Sequence, residues 1–414
     1  MKKITAFAMG LVLFVGALSG CSDMGENYEN SVDFVDVGEL ANGSQPEIPS
    51  LFFEDPELKS ETSAVSESGN SQANSQNNSQ QSSVQVSVSA AEEYSTYNIK
   101  TAEFDPEKVK QAVFGDEEIT LEFFEGAHGT KHYTWEKDGR SLDISEGLIS
   151  LNGKEMWFAE RTVITPGYNH DGNLEDFPNR DGELDFCSRD EAVNAVCKVL
   201  DELGVTVGDP IVCALHQSDL QNEIDRECAE RGYTIDYDKM WNGEEDNKVT
   251  SYTVGKELEC YYMEFKQYHN GVPLYNYDFQ YMTMKDIYVM PPRITAVYTA
   301  DGIVGLRIDY SRSIISEKEK IDKLITPETA AKSVAAKYEE LADIKSVLLE
   351  KLEMMYVITP VFNGGKYDHE ELIPAWVCTV RVTELGFDRK TGTEGYVESK
   401  DTLWIDARTG VEII

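Results

Sequence analysis

The pattern of apolar and polar positions divides the chain into stretches of different texture. Residues 1–21 open with Lys2 and Lys3, continue through a mainly apolar run from Ile4 to Ala17, and end in Leu18-Ser19-Gly20-Cys21. From Ser22 to about Ala91 no period is visible, and Ser66 to Ala90 is dominated by Ser, Gln and Asn. Such a stretch cannot bury enough apolar surface to offset its ordering entropy, so a disordered tether is expected. About 70 residues of flexible chain have a root-mean-square reach of roughly 45 Å. The acidic-aromatic piece Phe52-Phe53-Glu54-Asp55 is expected to be no more than weakly sticky.

Periodic structure starts near Tyr94. Asp105-Pro106-Glu107 supplies an N-cap, a first-turn proline and an early carboxylate, which predicts a short helix ending near Gly115. The runs "ITLEFFE", "KHYTWEK", "RSLDIS" and "LISLNGKEMWFAE" alternate between Gly- and Asp-containing turns and predict a small antiparallel meander. At Ser188 the period changes: Ser188-Arg189-Asp190-Glu191 is a capping box, and Ala192, Val193, Val196, Val199, Leu200 and Leu203 follow at helical spacing. A strand from Val205 to Leu215, a helix from Ser218 to Arg231, an acidic loop around Asn242 to Lys248 and further strands through Tyr310 follow. Thr326-Pro327-Glu328-Thr329 opens a second helix of similar character, with strands at Val347–Thr359, Leu372–Val382 and Tyr396–Ile414.

Each half reads as one helix followed by antiparallel strands. The expected fold class is therefore α+β, as two related modules of a helix packed on an antiparallel sheet, preceded by a small antiparallel β region and the tether. The expected organisation is 1–20 signal peptide, 21–91 tether, 92–187 β-rich region, 188–315 first module and 316–414 second module.

"QYHNGVPLYNY" (Gln267 to Tyr277) joins two alternating runs through Asn270-Gly271, a strong hairpin signal. A two-residue loop would set Phe265 opposite Asn276 and Met263 opposite Asp278. A three-residue loop, His269-Asn270-Gly271, instead pairs Tyr268 with Val272 and Phe265 with Tyr275 and keeps one face apolar, so a bulged turn is predicted. His269 then lies in a turn without an acid or nucleophile beside it, and the tyrosine stripe reads as a core face.

Composition narrows the function. The formal charge of −38 comes from 37 basic and 75 acidic residues, and removing the segment with Lys2 and Lys3 leaves 35 against 75, or −40. Such a surface repels phosphate backbones, so nucleic acid is excluded as a partner. The N-terminal charges, apolar run and small residues form an export signal too short for a comfortable span. Leu18-Ser19-Gly20-Cys21 matches a lipoprotein processing box, with Cys21 as the lipid attachment residue. Several acyl chains anchor firmly because each buried methylene contributes roughly 0.8 kcal/mol. The expected location is the extracytoplasmic face of the cell membrane. Cys187, Cys197, Cys213, Cys228, Cys260 and Cys378 show no Cys-x-x-Cys spacing and are expected as free, buried thiols.

Motifs that carry chemistry are missing from the chain: there is no G-x-S-x-G, H-E-x-x-H, P-loop or G-x-G-x-x-G. His128 and His132 are four apart, but Gly129 disfavours the helix that would bring them together. The stretch His170 to Asp185 offers Asp171, Asn173 and Glu175 as calcium ligands. Asp176 stands where an EF-hand needs glycine, and Gly182 stands where it needs glutamate, so a plain acidic loop is the better reading. No catalytic residue, metal or cofactor is expected.

"LIPAWVCTVRV" (Leu372 to Val382) and "LWIDARTGVEII" (Leu403 to Ile414) resemble the closing strands of PepSY-type domains. "YHNGVPLY" (Tyr268 to Tyr275) is similar to the hairpin of the related propeptides of thermolysin-like proteases, and the helix opening at Thr326 fits too. The resemblance spans at most Ser188 to Ile414, and the insertion from Ser218 to Lys248 departs from it. It implies PepSY-like modules of the kind found in accessory regulators of cell-wall sensor kinases, which bind other proteins and perform no chemistry. The expected function is a non-enzymatic, membrane-anchored lipoprotein that binds or regulates another envelope protein. The alternative is a carbohydrate- or peptide-binding surface lipoprotein using Trp135, Trp157 or Trp241, which exposed aromatics in a groove would favour.

Overall fold

The computed structural model describes residues 32–42, 51–54, 84–88, 91, 93–126, 129–137, 139–164, 182–241, 244, 247–276, 289–339, 341, 344–388 and 393–413. In chain order, the main elements begin with β1 (Tyr94–Thr101), α1 (Pro106–Phe114), β2 (Glu122–Glu125), β3 (Lys131–Lys137), β4 (Arg140–Ser145), β5 (Leu148–Asn152) and α2 (Lys154–Ile164). Next come α3 (Arg189–Glu202), β6 (Ile211–Leu215), α4 (Gln217–Arg231), α5 (Tyr237–Trp241), β7 (Cys260–Phe265), β8 (Arg293–Thr299), β9 (Gly302–Asp309) and β10 (Arg312–Ile321). The last are α6 (Pro327–Glu339), β11 (Ile344–Asn363), β12 (Lys366–Asp388) and β13 (Thr393–Asp406).

Local chemistry starts the helices. Asp105 accepts from the backbone N–H groups of Glu107 and Lys108 at the head of α1, and Ser188 with Glu191 forms the full capping box of α3.

Eight antiparallel strands form the first sheet in the order β2-β3-β4-β5-β9-β8-β7-β6. Period-two alternation gives it two faces. On one, Ile144, Ile149, Ile308, Ile294 and Phe265 stand in register across five strands, under Val109 of α1 and Val196, Val199 and Leu200 of α3. On the other, Cys213, Cys260, Tyr262 and Val297 are covered by Met156 and Ala159 of α2 and by Leu220 and Ile224 of α4. Each fully buried Leu, Ile or Phe contributes roughly 1.5–3 kcal/mol, so both helical layers are held by the same sheet.

The second sheet has the order β10-β1-β12-β11, with β13 along the far half of β12. Helix α6 covers one face, where the indole N–H of Trp376 donates to the Ile325 carbonyl at 3.1 Å. The sheets meet through short links: Gly147 donates to the Ala102 carbonyl at 2.7 Å, Ser311 to the Gly147 carbonyl at 3.1 Å, and Tyr275 to the Tyr356 carbonyl at 2.8 Å. Among the described residues no helix is long and apolar enough to cross a membrane.

This architecture corrects the expected fold class. The chain does not form two related, PepSY-like modules of a helix on its own antiparallel sheet behind a small β region. Strands β2 to β5, which precede α3, are the outer half of the first sheet, because β5 pairs with β9 through Leu151–Leu306 and Ile149–Ile308. Likewise β1 lies between β10 and β12 of the second sheet. Both sheets are completed by strands from outside the stretch that follows each helix.

Three local expectations also change. "LISLNGKEMWFAE" is a strand followed by α2, because Met156, Ala159 and Val163 return at helical spacing and are buried together. The turn at Asn270-Gly271 is a two-residue loop, with His269 opposite Val272 and Tyr268 opposite Pro273. Its central residues have φ of +48° and +78°, the type I′ signature. The mismatches that argued against this register never arise, because the ribbon ends after two pairs: Phe265 pairs with Ile294 of β8, while Tyr275 turns to Tyr356. Finally, parts of the expected tether join the fold. Phe34–Asp36 pairs with Lys323–Ile325, Leu51–Glu54 and Gln85–Ser87 pair with β11, and Val37 and Leu40 are buried.

Candidate docking surface

The titratable clusters of the described residues are internally matched. Across the α2 face of the first sheet runs a polar row in register, Thr134, Asp143, Ser150, Arg307, Thr295 and Glu264. Arg307 donates to Glu160 of α2 at 2.5 Å and to Asn152 at 3.1 Å. Burial pushes the Glu264 and Asp309 carboxyls above their ordinary range, with Arg293 opposing. The arrangement binds α2 to a half-polar sheet face.

A second cluster lies in α4. Glu223 and Glu227 are buried, and Arg161 of α2 reaches both, at 3.4 and 2.8 Å. Arg226 adds a 2.7 Å contact to Glu223, and Arg231, Thr234 and Tyr237 donate to Glu227. In a third cluster on β12, His369 bridges Asp368 at 2.9 Å and Glu371 at 3.1 Å, with Lys318 also on Glu371. Asp368 and Glu371 hold its imidazole above the ordinary value.

The residues singled out from sequence are dispersed. Cys21, His128, Asp171, Asn173 and Glu175 lie outside the described residues. His132 stacks on Phe124, with ring centroids 4.7 Å apart, and approaches Asp143 at 3.4 Å. His269 is half-buried, edge-on to Tyr97 at 4.4 Å, and burial pushes its imidazole below the ordinary value. Asn270 donates to the Tyr97 hydroxyl at 2.9 Å, so this corner fastens one sheet to the other. Trp135 packs on Phe114 beside Arg140, Trp157 on Tyr237 beneath Arg161, and Trp241 is half-buried. The six cysteines after Cys21 are free: Cys213, Cys260 and Cys378 are buried and the others half-buried. Among the described residues no group of three or more His, Cys, Asp or Glu is placed to hold a metal ion.

Among the edges that no described strand covers, β2 carries two exposed aromatic rings. It pairs with β3 on its inner edge, and no described strand pairs with its outer edge. All four of its residues are exposed, with Phe123 at 57% and Phe124 at 48%. Cross-strand neighbours hold both rings: Phe123 lies 5.3 Å from Tyr133 and Phe124 stacks on His132. An unpaired backbone edge with two braced aromatics can accept another strand and bury apolar area on both of its faces. The signal was present in "EFFE", because adjacent aromatics in a strand point to opposite faces and a single core cannot take both.

Among known proteins, no family pattern matches this chain, and no curated protein matches it closely enough to count as a relative. An uncharacterized protein from Eubacterium rectale ATCC 33656, solved as a crystal structure, is similar in fold. The TM-score is 0.55 and the identity 14%, over 80% of this chain and 90% of that one.

Proposed function

We propose that the protein is a non-enzymatic lipoprotein, anchored through Cys21 to the extracytoplasmic face of the cell membrane, whose folded body docks another envelope protein. The open edge of β2, with two phenyl rings held outward on it, carries the docking part. The export signal and the Leu-Ser-Gly-Cys box carry the anchor. Trp135 and Trp157 are packed against neighbouring rings and arginines, which favours protein docking over a sugar-binding aromatic groove.

Two measurements test the reading. Cys21→Ala is expected to move the protein out of the membrane fraction and remove the acyl mass; unchanged fractionation and mass defeat the anchor. A photo-reactive amino acid at Phe123, in cells with native membranes, is expected to cross-link reproducibly to one envelope protein, whereas the same group at exposed Lys198 is not. Absence of any reproducible adduct from positions around the folded body defeats the docking role.

A further inference from the structure

We propose that the outer edge of β2 takes an extended, cationic segment of the partner, with basic and apolar residues in a Lys-Val-Val-Lys type of order that puts one of each on either face, as an added strand. This rests on the docking reading above and names the chemistry of the partner at that edge.

Charge selects the occupant. Asp116, Glu117, Glu118, Glu122 and Glu125 crowd the ten residues from 116 to 125, where there is no Lys or Arg, and all five are exposed. A strand laid on β2 places its side chains next to Glu122 and Glu125, where basic residues gain and acidic ones are repelled. Glu122 and Phe124 share one face and Phe123 and Glu125 the other, so each face calls for one basic and one apolar residue, the order basic-apolar-apolar-basic along the added strand. A second copy of this chain fits poorly: antiparallel pairing of Glu122–Glu125 with itself sets Glu122 against Glu125 at both ends. The outer strand of the second sheet offers a contrast. On β10, Lys318 and Lys320 are spent on Glu371 and Glu93, and Glu317 accepts from Ser95, so the charges of that edge are largely matched within the fold, while Ile314 and Ile315 make its start apolar and not acidic. On β2, Glu125 stands opposite Lys131 of β3, but Glu122 stands opposite Thr134 and the acidic run 116–118 holds no lysine.

The test uses the full-length protein in detergent and a fluorescent Lys–Val peptide of about eight residues repeating Lys-Val-Val-Lys, a length matching an ordinary strand. Its counterparts are a Glu–Val peptide and a Lys–Val peptide N-methylated along one edge, which keeps the side chains but removes the donors of a β-ladder. The Lys–Val peptide is expected to bind, to slow amide exchange across residues 122–125, and to weaken as salt is raised. N-methylation and charge reversal are each expected to abolish binding. Phe123→Ser with Phe124→Ser is expected to lower affinity roughly tenfold with only a small fall in melting temperature, since both rings are about half exposed and lose one cross-strand ring contact each. Equal binding of the N-methylated or the Glu–Val peptide overturns the proposal, as does unchanged exchange at 122–125. Concentration-dependent dimerisation abolished by the paired serine variant replaces the peptide with a second copy. If the cross-linked envelope protein is still captured by the paired variant, the edge is not its site and the docking reading stands alone.

Discussion

Replacing Glu227 with alanine puts the assignment of the α4 cluster as a structural lock to a quantitative test. Four donors converge on this one carboxylate: Arg161 at 2.8 Å, Arg231 at 2.7 Å, the Thr234 hydroxyl at 2.9 Å and the Tyr237 hydroxyl at 3.0 Å. They do not count equally. The Arg231 side chain is 58% exposed, so its pair contributes less than about 1 kcal/mol. The Thr234 and Tyr237 side chains are buried, and a buried hydroxyl donor left without an acceptor costs roughly 1–3 kcal/mol, although the Tyr237 oxygen still accepts from Arg161 at 3.3 Å. Arg161 keeps only longer contacts, 3.4 Å to Glu223 and 3.3 Å to the Tyr237 hydroxyl. Breaking a buried pair of this kind costs about 3–5 kcal/mol, which for a chain of this size lowers the melting temperature by roughly 6–10 °C. Glu227→Gln retains one carbonyl acceptor and is expected to lose about half as much.

Acid provides a second readout. Burial raises the Glu227 carboxyl, but hydrogen bonds from Arg161, Thr234 and Tyr237 outweigh it and hold the group below the ordinary range. Its stabilising contribution is therefore present above the unfolded value of about 4.3 and lost as pH falls through the folded one. Calorimetric melts of wild type and Glu227→Ala from neutral to acid pH are expected to converge at the acid end. A melting shift below about 2 °C at neutral pH, or curves that stay parallel in acid, would refute the lock.

Other perturbations follow from the same contacts. A Cβ at Gly305 would lie 2.7 Å from the Met156 sulfur and 2.9 Å from its Cβ, so Gly305→Ala is expected to destabilise by about 1–3 kcal/mol in urea melts, with partial recovery when Met156→Ala is added. Asn270→Ala loses the hydrogen bond to Tyr97 and places alanine at φ of +48°; urea denaturation is expected to show a loss of about 1–3 kcal/mol. Asp368 and Glu371 raise the His369 imidazole, so its stabilising contribution is full below the unfolded value of about 6.5 and fades as pH rises through the folded one. An imidazole titration by NMR is expected to place the midpoint above the ordinary value, and Asp368→Asn to bring it back down.

Residues near one another in the chain carried the readable part of this protein. Asp105 and Ser188 announce α1 and α3 because a cap acts across two or three residues, and Asn270-Gly271 announces a reversal because both positions need positive φ. Errors entered where the same local pattern served two periods, as in "LISLNGKEMWFAE", where alternation through Leu151 hides the helical return of Met156, Ala159 and Val163. The hairpin departs from the expected register for a related reason: strands that meet at a turn need not stay together, and Phe265 and Tyr275 leave for different sheets.

Sheet membership could be decided only by the folded chain. Tyr94–Thr101 finds its partners in Arg312–Ile321 and Lys366–Asp388, more than 200 positions away, and nothing in its own alternation distinguishes those edges from any other. The same holds for the open edge. "EFFE" by itself requires that one phenyl face away from any single core, but it took the end position of β2 in an eight-stranded sheet to leave both rings about half exposed, and one row of backbone groups unpaired by any described strand. Caps and turns are settled by neighbours in sequence, whereas edges and partners are settled by which apolar faces compete best for each other across the whole chain.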